Sequence, residues 1–269
     1  MLVYPKVKIQ YPMSLEREYA RELIKYTRKV RDICKRHVSV MVDAAMWNAI
    51  HADDWTEEQT EEINKDITAE EETAITAVII AMFNRVKTFN RRQQEKIFRG
   101  IFGSTPKEIG GVGYEKIKQI WVNQNIELIH SIDRRTLESI RYTLSENVIR
   151  AVDRKILIEE LVENITHMAG VNERRAALIA CDQVGKLNSQ LAQYEQANQG
   201  VNSYIWVTMG DSRVRPAHRE REGKRFYWNN PPSDGHPGWA VRCRCSASPC
   251  YDTDKIGLQL KVGTYKIVG

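Results

Sequence analysis

The chain changes character at Gly200. Before this residue, long stretches carry apolar side chains every three or four positions, which is the spacing of amphipathic helices. Ser14 can cap the first of these helices, and Asn172 can cap the last, for which Gly200 is a stop signal. After Gly200, short aromatic-rich runs alternate with turn residues, a pattern typical of strands. The sequence therefore predicts a mainly α fold, in which a long-helix N-terminal body is followed by a small C-terminal α+β module.

The N-terminal body is predicted to contain several long helices. After the helix that begins at Ser14, further helical patterns cover residues 76–102, 114–151, 154–169 and 172–199. An acidic segment from Asp53 to Glu72 separates the first two helices. We interpret it as a solvated or partly disordered linker, with a docking surface for a basic partner as the alternative.

Two short runs in the C-terminal module favour strands, Tyr204–Val207 and Arg225–Trp228, because aromatic and β-branched residues are enriched in sheets. Alternation in the tail from Ile256 to Gly269 predicts one or two terminal strands. We therefore divide the chain into a helical body at residues 1–150, a second domain at residues 151–251 and a C-terminal strand tail at residues 252–269.

Composition is typical of a soluble globular protein. Hydrophobic residues make up 42% and charged residues 28% of the 269 positions, which is ordinary for this class. The longest apolar run, Ala77–Phe83, is far shorter than the roughly 20 residues that a membrane span needs. Proline and lysine interrupt the first twelve residues before a signal peptide could form. We therefore expect assembly in a cytoplasm, with no membrane partner.

Histidines and cysteines of the module suggest a metal site. Three of the chain's five cysteines crowd into Cys243, Cys245 and Cys250, and in a reducing cytosol such a cluster binds metal or stays free. With His218 and His236, the Cys243–Cys245 pair makes a reasonable tetrahedral zinc set, so we predict a structural Zn²⁺ that staples the module. Cys250 is a substitute ligand. The alternative is that both histidines are polar loop residues and the cysteines fill a core.

Residues near this set can support it. Asp211 could complete the metal shell or hold a histidine that binds the metal. Arg213 and Arg215 follow closely, and an arginine can pair with Asp211 and brace a small fold.

Basic residues raise the alternative of a nucleic-acid-binding protein, although the net charge of +5 is only mildly basic. Eight Lys and Arg residues lie between Arg17 and Arg36 in the first helix, but acidic residues share that stretch and favour a solvated face. A denser patch in the module precedes Tyr227 and Trp228, and the combination could hold nucleic acid. Besides Arg213 and Arg215, this patch contains Arg219, Arg221, Lys224 and Arg225.

A zinc nuclease is a further alternative, because zinc can activate water. Four protein ligands would leave that water no position, whereas His218, Cys243 and Cys245 alone would leave one. The sequence has no phosphate-cradling glycine loop, nucleophile elbow or paired-carboxylate motif. We therefore predict that the protein is not an enzyme.

An ordered series of residues runs from Trp206 to Cys245. It comprises Trp-x-Thr, Asp-x-Arg-x-Arg-Pro-x-His, Gly-Lys-x-Phe, Pro-Gly and Cys-Arg-Cys. With the helix segment Arg175–Asn188, the series resembles the Mu F-like (phage head morphogenesis) domain, to which we assign residues 151–251. Related members often carry cysteines where Arg215 and His218 stand, so that His218 matches a ligand position and Arg215 does not. Trp121–Ile140 is similar to a segment common in minor head proteins.

This resemblance implies a minor head protein of a tailed bacteriophage, a structural component present in a few copies at the portal vertex. It implies action in procapsid assembly, with the portal protein and the major capsid or scaffolding protein as partners and double-stranded DNA as a further neighbour. It also implies assembly in the host cytoplasm and a final place in the virion, in the capsid interior near the portal. The alternative is a zinc-containing nucleic-acid-binding protein or a nuclease.

Overall fold

A computed structural model describes residues 1–51, 56–107, 109–150 and 153–268. Most of these residues form four long helices, which confirms the predicted mainly α fold with a small C-terminal sheet. In chain order the elements are β1 (Leu2–Pro5), α1 (Met13–His51), α2 (Thr56–Phe102), α3 (Gly111–Ile149), α4 (Arg154–Asn198), β2 (Ser203–Val207), α5 (Pro216–Glu220), β3 (Arg225–Tyr227), β4 (Ser246–Asp252), α6 (Thr253–Ile256) and β5 (Tyr265–Ile267).

Helix α2 begins far earlier than the sequence predicts, because the acidic segment is helical from Thr56 onwards. Its buried residues Ile63, Ile67 and Ile75 recur at helical spacing, so the acidic run has an apolar face that packs inside the protein. Carboxylates near a helix N-terminus are also favoured by the helix dipole. The interpretation of this segment as a solvated linker is therefore wrong from Thr56, and residues 52–55 lie outside the described residues.

Helix α4 is continuous where the sequence predicts two helices. Gly170 and Asn172, which were expected to mark a boundary, both lie inside it. Asn172 does not cap a helix, because its buried side-chain amide donates to Oγ1 of Thr136 on α3 over 2.8 Å. A tertiary hydrogen bond therefore occupies the group that the sequence suggested as a cap.

One compact unit of the chain comprises Glu18–Ile79 and Asn123–Ile179, and so takes a segment from each long helix. The hydroxyl of Tyr19 donates to Asn125 over 2.8 Å, and that of Tyr26 donates to Asp133 over 2.6 Å. Since both partners advance along the chain together, α1 and α3 run in the same direction. Buried side chains of this unit include Leu23, Val30, Ile33, Met41, Ile63, Ile140, Leu157, Leu161 and Ile165.

The other compact unit comprises Met1–Arg17, Ile80–Val122 and Ala180–Gly269. It contains the sheet, whose strand order is β3-β2-β4-β1-β5 with antiparallel neighbours. The predicted strands appear as β2, β3 and β5, whereas β1 and β4 were not predicted. Phe98 and Phe102 of α2 pack edge-on against Tyr251 of β4, with ring centroids 5.7 and 5.2 Å apart.

The two compact units divide the chain according to which residues contact one another. The domains 1–150, 151–251 and 252–269 divide it according to sequence pattern, and they stay predictions. Within the described residues, no helix carries a stretch long and apolar enough to cross a bilayer.

Candidate metal centre

Three residues from separate parts of the module converge on one buried point. His218 lies on α5, and Cys243 and Cys245 lie on the segment that leads into β4. Nδ1 of His218 is 3.5 Å from Sγ of Cys243 and 3.5 Å from Sγ of Cys245. The exposed fractions of the three residues are 2%, 4% and 4%. The structure therefore brings together three of the four predicted zinc ligands.

Local sequence explains how these side chains reach one point. Pro216 begins α5, where its fixed φ suits the first turn of a helix. The ring of His218 then packs edge-on against Trp206 of β2, with centroids 5.1 Å apart. Cys243 and Cys245, just before β4, both present their sulfur atoms to Nδ1 of His218, whereas Arg244 between them pairs with Asp211.

Asp234 fixes the orientation of the His218 ring. Nε2 of His218 donates to Oδ2 of Asp234 over 2.9 Å, and Arg221 donates to Oδ1 of the same carboxylate over 2.6 Å. Burial raises the pKa of Asp234, but the hydrogen bonds from His218 and Arg221 outweigh it, so the pKa lies below its usual range. An ionised Asp234 holds the hydrogen on Nε2 and leaves the lone pair of Nδ1 facing the two thiols.

The two thiols share their protons unequally. A hydrogen bond from Cys245 lowers the pKa of Cys243 to about 6, with a further contribution from the backbone amide of Gly238. The same interaction, together with burial, raises the pKa of Cys245. Of the two thiols, Cys243 is therefore the more acidic.

The donor set fits a zinc ion. Its imidazole nitrogen and two sulfurs all lie within 4.8 Å of one another. Ligand atoms at tetrahedral angles around zinc, with bonds of about 2.0–2.3 Å, are about 3.5 Å apart, which agrees with the two His218–sulfur distances of 3.5 Å. A carboxylate behind the histidine is also the usual companion of a zinc-bound imidazole.

Two glycines allow the cysteine loop to approach α4. A Cβ atom on Gly185 would lie 2.8 Å from the carbonyl oxygen of Cys243, closer than real Cβ contacts. Gly238 has φ +93°, which L side chains rarely adopt, and a Cβ there would lie 2.6 Å from the carbonyl oxygen of Gly185. Backbone therefore packs directly on backbone, and this contact positions Cys243.

His236, the fourth predicted ligand, lies elsewhere. Its Nδ1 is 3.0 Å from the hydroxyl of Tyr204, and its ring packs among the rings of Tyr204, Trp228 and Trp239. Burial lowers the pKa of His236, against a hydrogen bond to the backbone of Trp228. A neutral imidazole in an aromatic cage braces the core beside the cluster and is not part of it.

The suggested substitute ligand, Cys250, is also outside the cluster. It lies on β4, opposite Ser203 of β2. Burial raises the pKa of its thiol to about 12, so it stays protonated and fills the core.

Asp211 supports the cysteine loop through Arg244 and does not contact the thiols. Its Oδ2 accepts from Arg244 over 2.8 Å and from Arg213 over 3.3 Å. Arg215 donates to the backbone carbonyl of Val241 over 2.5 Å, immediately before the loop. The bracing role that the sequence favours for Asp211, Arg213 and Arg215 stays a prediction, and these contacts are the ones that such a role needs.

The basic patch of the module is largely engaged in such contacts. Arg221 pairs with Asp234 and stacks over the Trp206 ring at 4.9 Å from its centroid. Arg225 donates to Ser203 over 3.1 Å and stacks over Tyr227 at 4.6 Å. Arg219 donates weakly to a backbone carbonyl, and Lys224 is exposed. Two of the four predicted nucleic-acid residues, Arg221 and Arg225, therefore make contacts within the module, and the prediction that the patch binds nucleic acid stays untested.

The site residue that the sequence reasoning missed is Asp234. It follows two prolines and precedes Gly235, so its local signal is that of a turn. A carboxylate near a candidate zinc histidine is a general expectation. Because α5 packs against this turn, the carboxylate that contacts His218 is that of Asp234 and not that of Asp211.

Comparison with known proteins gives a family match in this half of the chain. Residues 142–248 match the family model described as "Phage Mu protein F like protein". A Haemophilus influenzae protein described only as uncharacterized is 36% identical over 132 residues, which make up 49% of this chain and 29% of that protein. The chain thus spans less than a third of the length of that relative. No solved structure matches the chain.

The family match contains all three cluster residues together with Asp234, Gly185 and Gly238. The similarity noted for Trp121–Ile140 lies outside the matched region and stays a prediction. Residues 142–248 match the Phage Mu protein F like family, which confirms the resemblance identified in the sequence.

Proposed function

We propose that the protein is a minor head protein of a tailed bacteriophage, which acts in head assembly at the portal vertex. The observation that carries this proposal is the family match over residues 142–248. Its partners are the portal protein and the major capsid or scaffolding protein, and its final place is the capsid interior near the portal.

Within that role, the metal centre is a staple. A zinc ion held by His218, Cys243 and Cys245 would tie α5 to the segment before β4. The module has little regular structure between β3 and β4, and a small module of this kind gains stability from bound metal. A fixed module would present a defined surface to the proteins of the head.

A structural role is favoured over catalysis by the surroundings of the donor atoms. All three ligand residues are buried, whereas a hydrolytic zinc site needs an open position that a substrate can reach. Asp211, the acidic residue that a nuclease would use beside the metal, is engaged with Arg244 and Arg213. The nuclease alternative keeps one supporting feature, since three protein ligands leave a fourth position on zinc.

Quantitative mass spectrometry of purified procapsids and mature particles tests the assembly role. We expect a few copies per particle, and their loss when the gene for the portal protein is deleted. Absence from both kinds of particle would overturn the proposal. A copy number that matches the major capsid protein would overturn the portal location and leave a shell component.

Metal content tests the staple. We expect about one zinc per purified chain, lost in His218→Gln and retained in His236→Gln, because only His218 faces the thiols. Loss in both variants would restore His236 as a ligand. The nuclease alternative would be favoured by two results together. The wild type would cleave DNA, and the Asp211→Asn variant would keep its zinc but lose that cleavage.

A further inference from the structure

A basic groove runs along α2 within the unit that contains the sheet. Two adjoining cavities of about 510 and 660 Å³ share the residues Val7, Arg92, Lys96 and Ile97, so they form one continuous depression. One wall is α2, and the other comes from the segment after β1 and the turn before β5. The basic side chains that line the groove are Lys6, Lys8, Arg85, Arg92, Lys96, Arg99 and Lys261.

The charged side chains that line this groove are almost all positive. All seven basic residues are exposed. The single carboxylate in the lining, Glu95, is already paired with Arg91 over 2.9 Å. Among the described residues, none of Lys6, Lys8, Arg92, Lys96, Arg99 and Lys261 forms an ion pair. The lining therefore carries seven positive charges and one negative charge, so the groove attracts a polyanion.

The arrangement of these charges follows a line. Arg85, Arg92, Lys96 and Arg99 recur at intervals of seven, four and three residues, so they lie on one face of α2. The row from Arg85 to Arg99 is about 21 Å long at about 1.5 Å per residue. A strand of duplex DNA carries one phosphate per about 3.4 Å of helix axis, so a row parallel to that axis has the length of about six phosphates.

We propose that this groove binds the phosphate backbone of double-stranded DNA. Two neutral side chains that can donate to phosphate oxygens, Gln10 and Ser14, lie among the basic residues. The lining has no exposed aromatic ring, since Phe89 is half-buried, whereas single-stranded nucleic acid is held by stacking on such rings. Protein interfaces are depleted in lysine at their centre, which disfavours an acidic protein as the occupant.

This inference does not rest on the head-assembly role or on the metal centre. It also places the contact away from both basic surfaces that the sequence singles out. The face of α1 between Arg17 and Arg36 and the patch around Arg219 contribute no residue to the groove.

Fluorescence anisotropy with a labelled random-sequence DNA duplex tests the proposal on the full chain. The groove variant is Arg92→Ala/Lys96→Ala/Arg99→Ala, and the matched control is Arg21→Ala/Lys25→Ala/Lys29→Ala on the exposed face of α1. Both variants remove three exposed charges from a long helix, and alanine preserves helix propensity. Thermal unfolding should stay close to that of the wild type in both, because the surface pair that the control removes, Lys25 with Glu22, contributes little to stability. Binding is thereby separated from folding.

We expect the wild type to bind in a salt-dependent manner and the groove variant to bind at least tenfold more weakly. Because each phosphate contact contributes about −0.9 to the slope of log K against log salt, the groove variant should have a slope shallower by about 2.7. The control should keep the wild-type slope and lose less affinity.

Three results would overturn the proposal. The wild type does not bind the duplex, or the groove variant keeps its affinity and slope, or both triple variants lose affinity equally. A polyglutamate peptide serves as a second probe. If the groove variant loses the peptide but keeps the duplex, an acidic protein segment is the occupant instead of DNA.

Discussion

Nε2 of His218 and Oδ2 of Asp234 lie 2.9 Å apart, on the side of the imidazole opposite to the two thiols. This hydrogen bond sets which nitrogen of the ring can accept a metal ion. Because Arg221 binds the other carboxylate oxygen over 2.6 Å, the side chain of Asp234 is held from both sides.

Asp234→Asn should weaken zinc binding by about 10–100-fold without abolishing it, because the amide can still occupy the site but no longer stabilises the imidazole with a charge. Competition with a chelator of known affinity measures the effect. Glu220→Gln is the matched control, since Glu220 is an exposed carboxylate on the same short helix as His218. Equal weakening in both variants would contradict the orienting role of Asp234.

Cys243→Ser and Cys245→Ser should each release the metal and destabilise the module. The loss is on the order of several kcal/mol, because the binding energy of a structural zinc contributes directly to folding. Metal analysis and denaturant unfolding measure it. Cys250→Ser is the control: this thiol is buried on β4 outside the cluster, so the variant should keep its metal. Metal loss in Cys250→Ser would show that the cluster has been assigned wrongly.

Asp133 should make the helical unit less stable at higher pH. Burial raises the pKa of its carboxyl from 3.8 to about 7, against a hydrogen bond from Tyr26. The folded state therefore binds a proton that the unfolded state releases. The stabilisation is complete below about pH 4 and is lost as the pH rises through 7, by on the order of a few kcal/mol.

Asp133→Asn should remove this dependence and be more stable than the wild type at pH 8, because the amide resembles the protonated carboxyl. Urea unfolding at pH 5 and pH 8 measures it. Tyr26→Phe removes the hydrogen bond that lowers the pKa of Asp133. The free energy of unfolding of this variant should therefore fall at a higher pH than that of the wild type. An unchanged pH profile in Asp133→Asn would show that the carboxyl is not the titrating group.

Gly185→Ala should destabilise the protein by about 1–3 kcal/mol, because the new methyl group overpacks against a backbone carbonyl. The obstacle is the oxygen of Cys243, 2.8 Å from the added Cβ. Gly170→Ala on the same helix is the control, since its added Cβ meets nothing within 4 Å. There alanine should stabilise by about 0.5–1 kcal/mol through its helix propensity. Denaturant unfolding of the two variants should therefore give shifts of opposite sign.

The cluster could be predicted from the sequence to the extent that chemistry is local. His218, Cys243 and Cys245 are residue types with ligand atoms, and the Cys-x-Cys spacing keeps both thiols close together along the chain. His236 also has an imidazole that could bind a metal ion. In the structure its Nδ1 is instead hydrogen-bonded to the hydroxyl of Tyr204, and its ring packs against the Tyr204 ring. This contact joins residues 32 positions apart in the chain. The spacing of histidines and cysteines in the sequence therefore does not predict it.

Helix boundaries were misjudged where tertiary contacts use residues that normally end helices. Asn172 is a residue type that often caps helices, yet its side chain is buried and donates a hydrogen bond to Thr136. The acidic part of α2 has a high charge density, yet Ile63 and Ile67 supply an apolar face at every fourth position. In both cases local propensity is overridden by burial against other helices.

Strand β1 has consequences for the order in which the protein is made. Val3 pairs with Tyr251 of β4 and with Ile267 of β5, so its partners are synthesised roughly 250 residues later. At about 5–20 residues per second, the ribosome needs on the order of tens of seconds to deliver them. During that interval the first strand has no sheet to join, and a fragment limited to residues 142–248 would lack it and would stop inside β4. Recombinant work on the family segment alone should therefore include the first five residues in trans or by circular permutation.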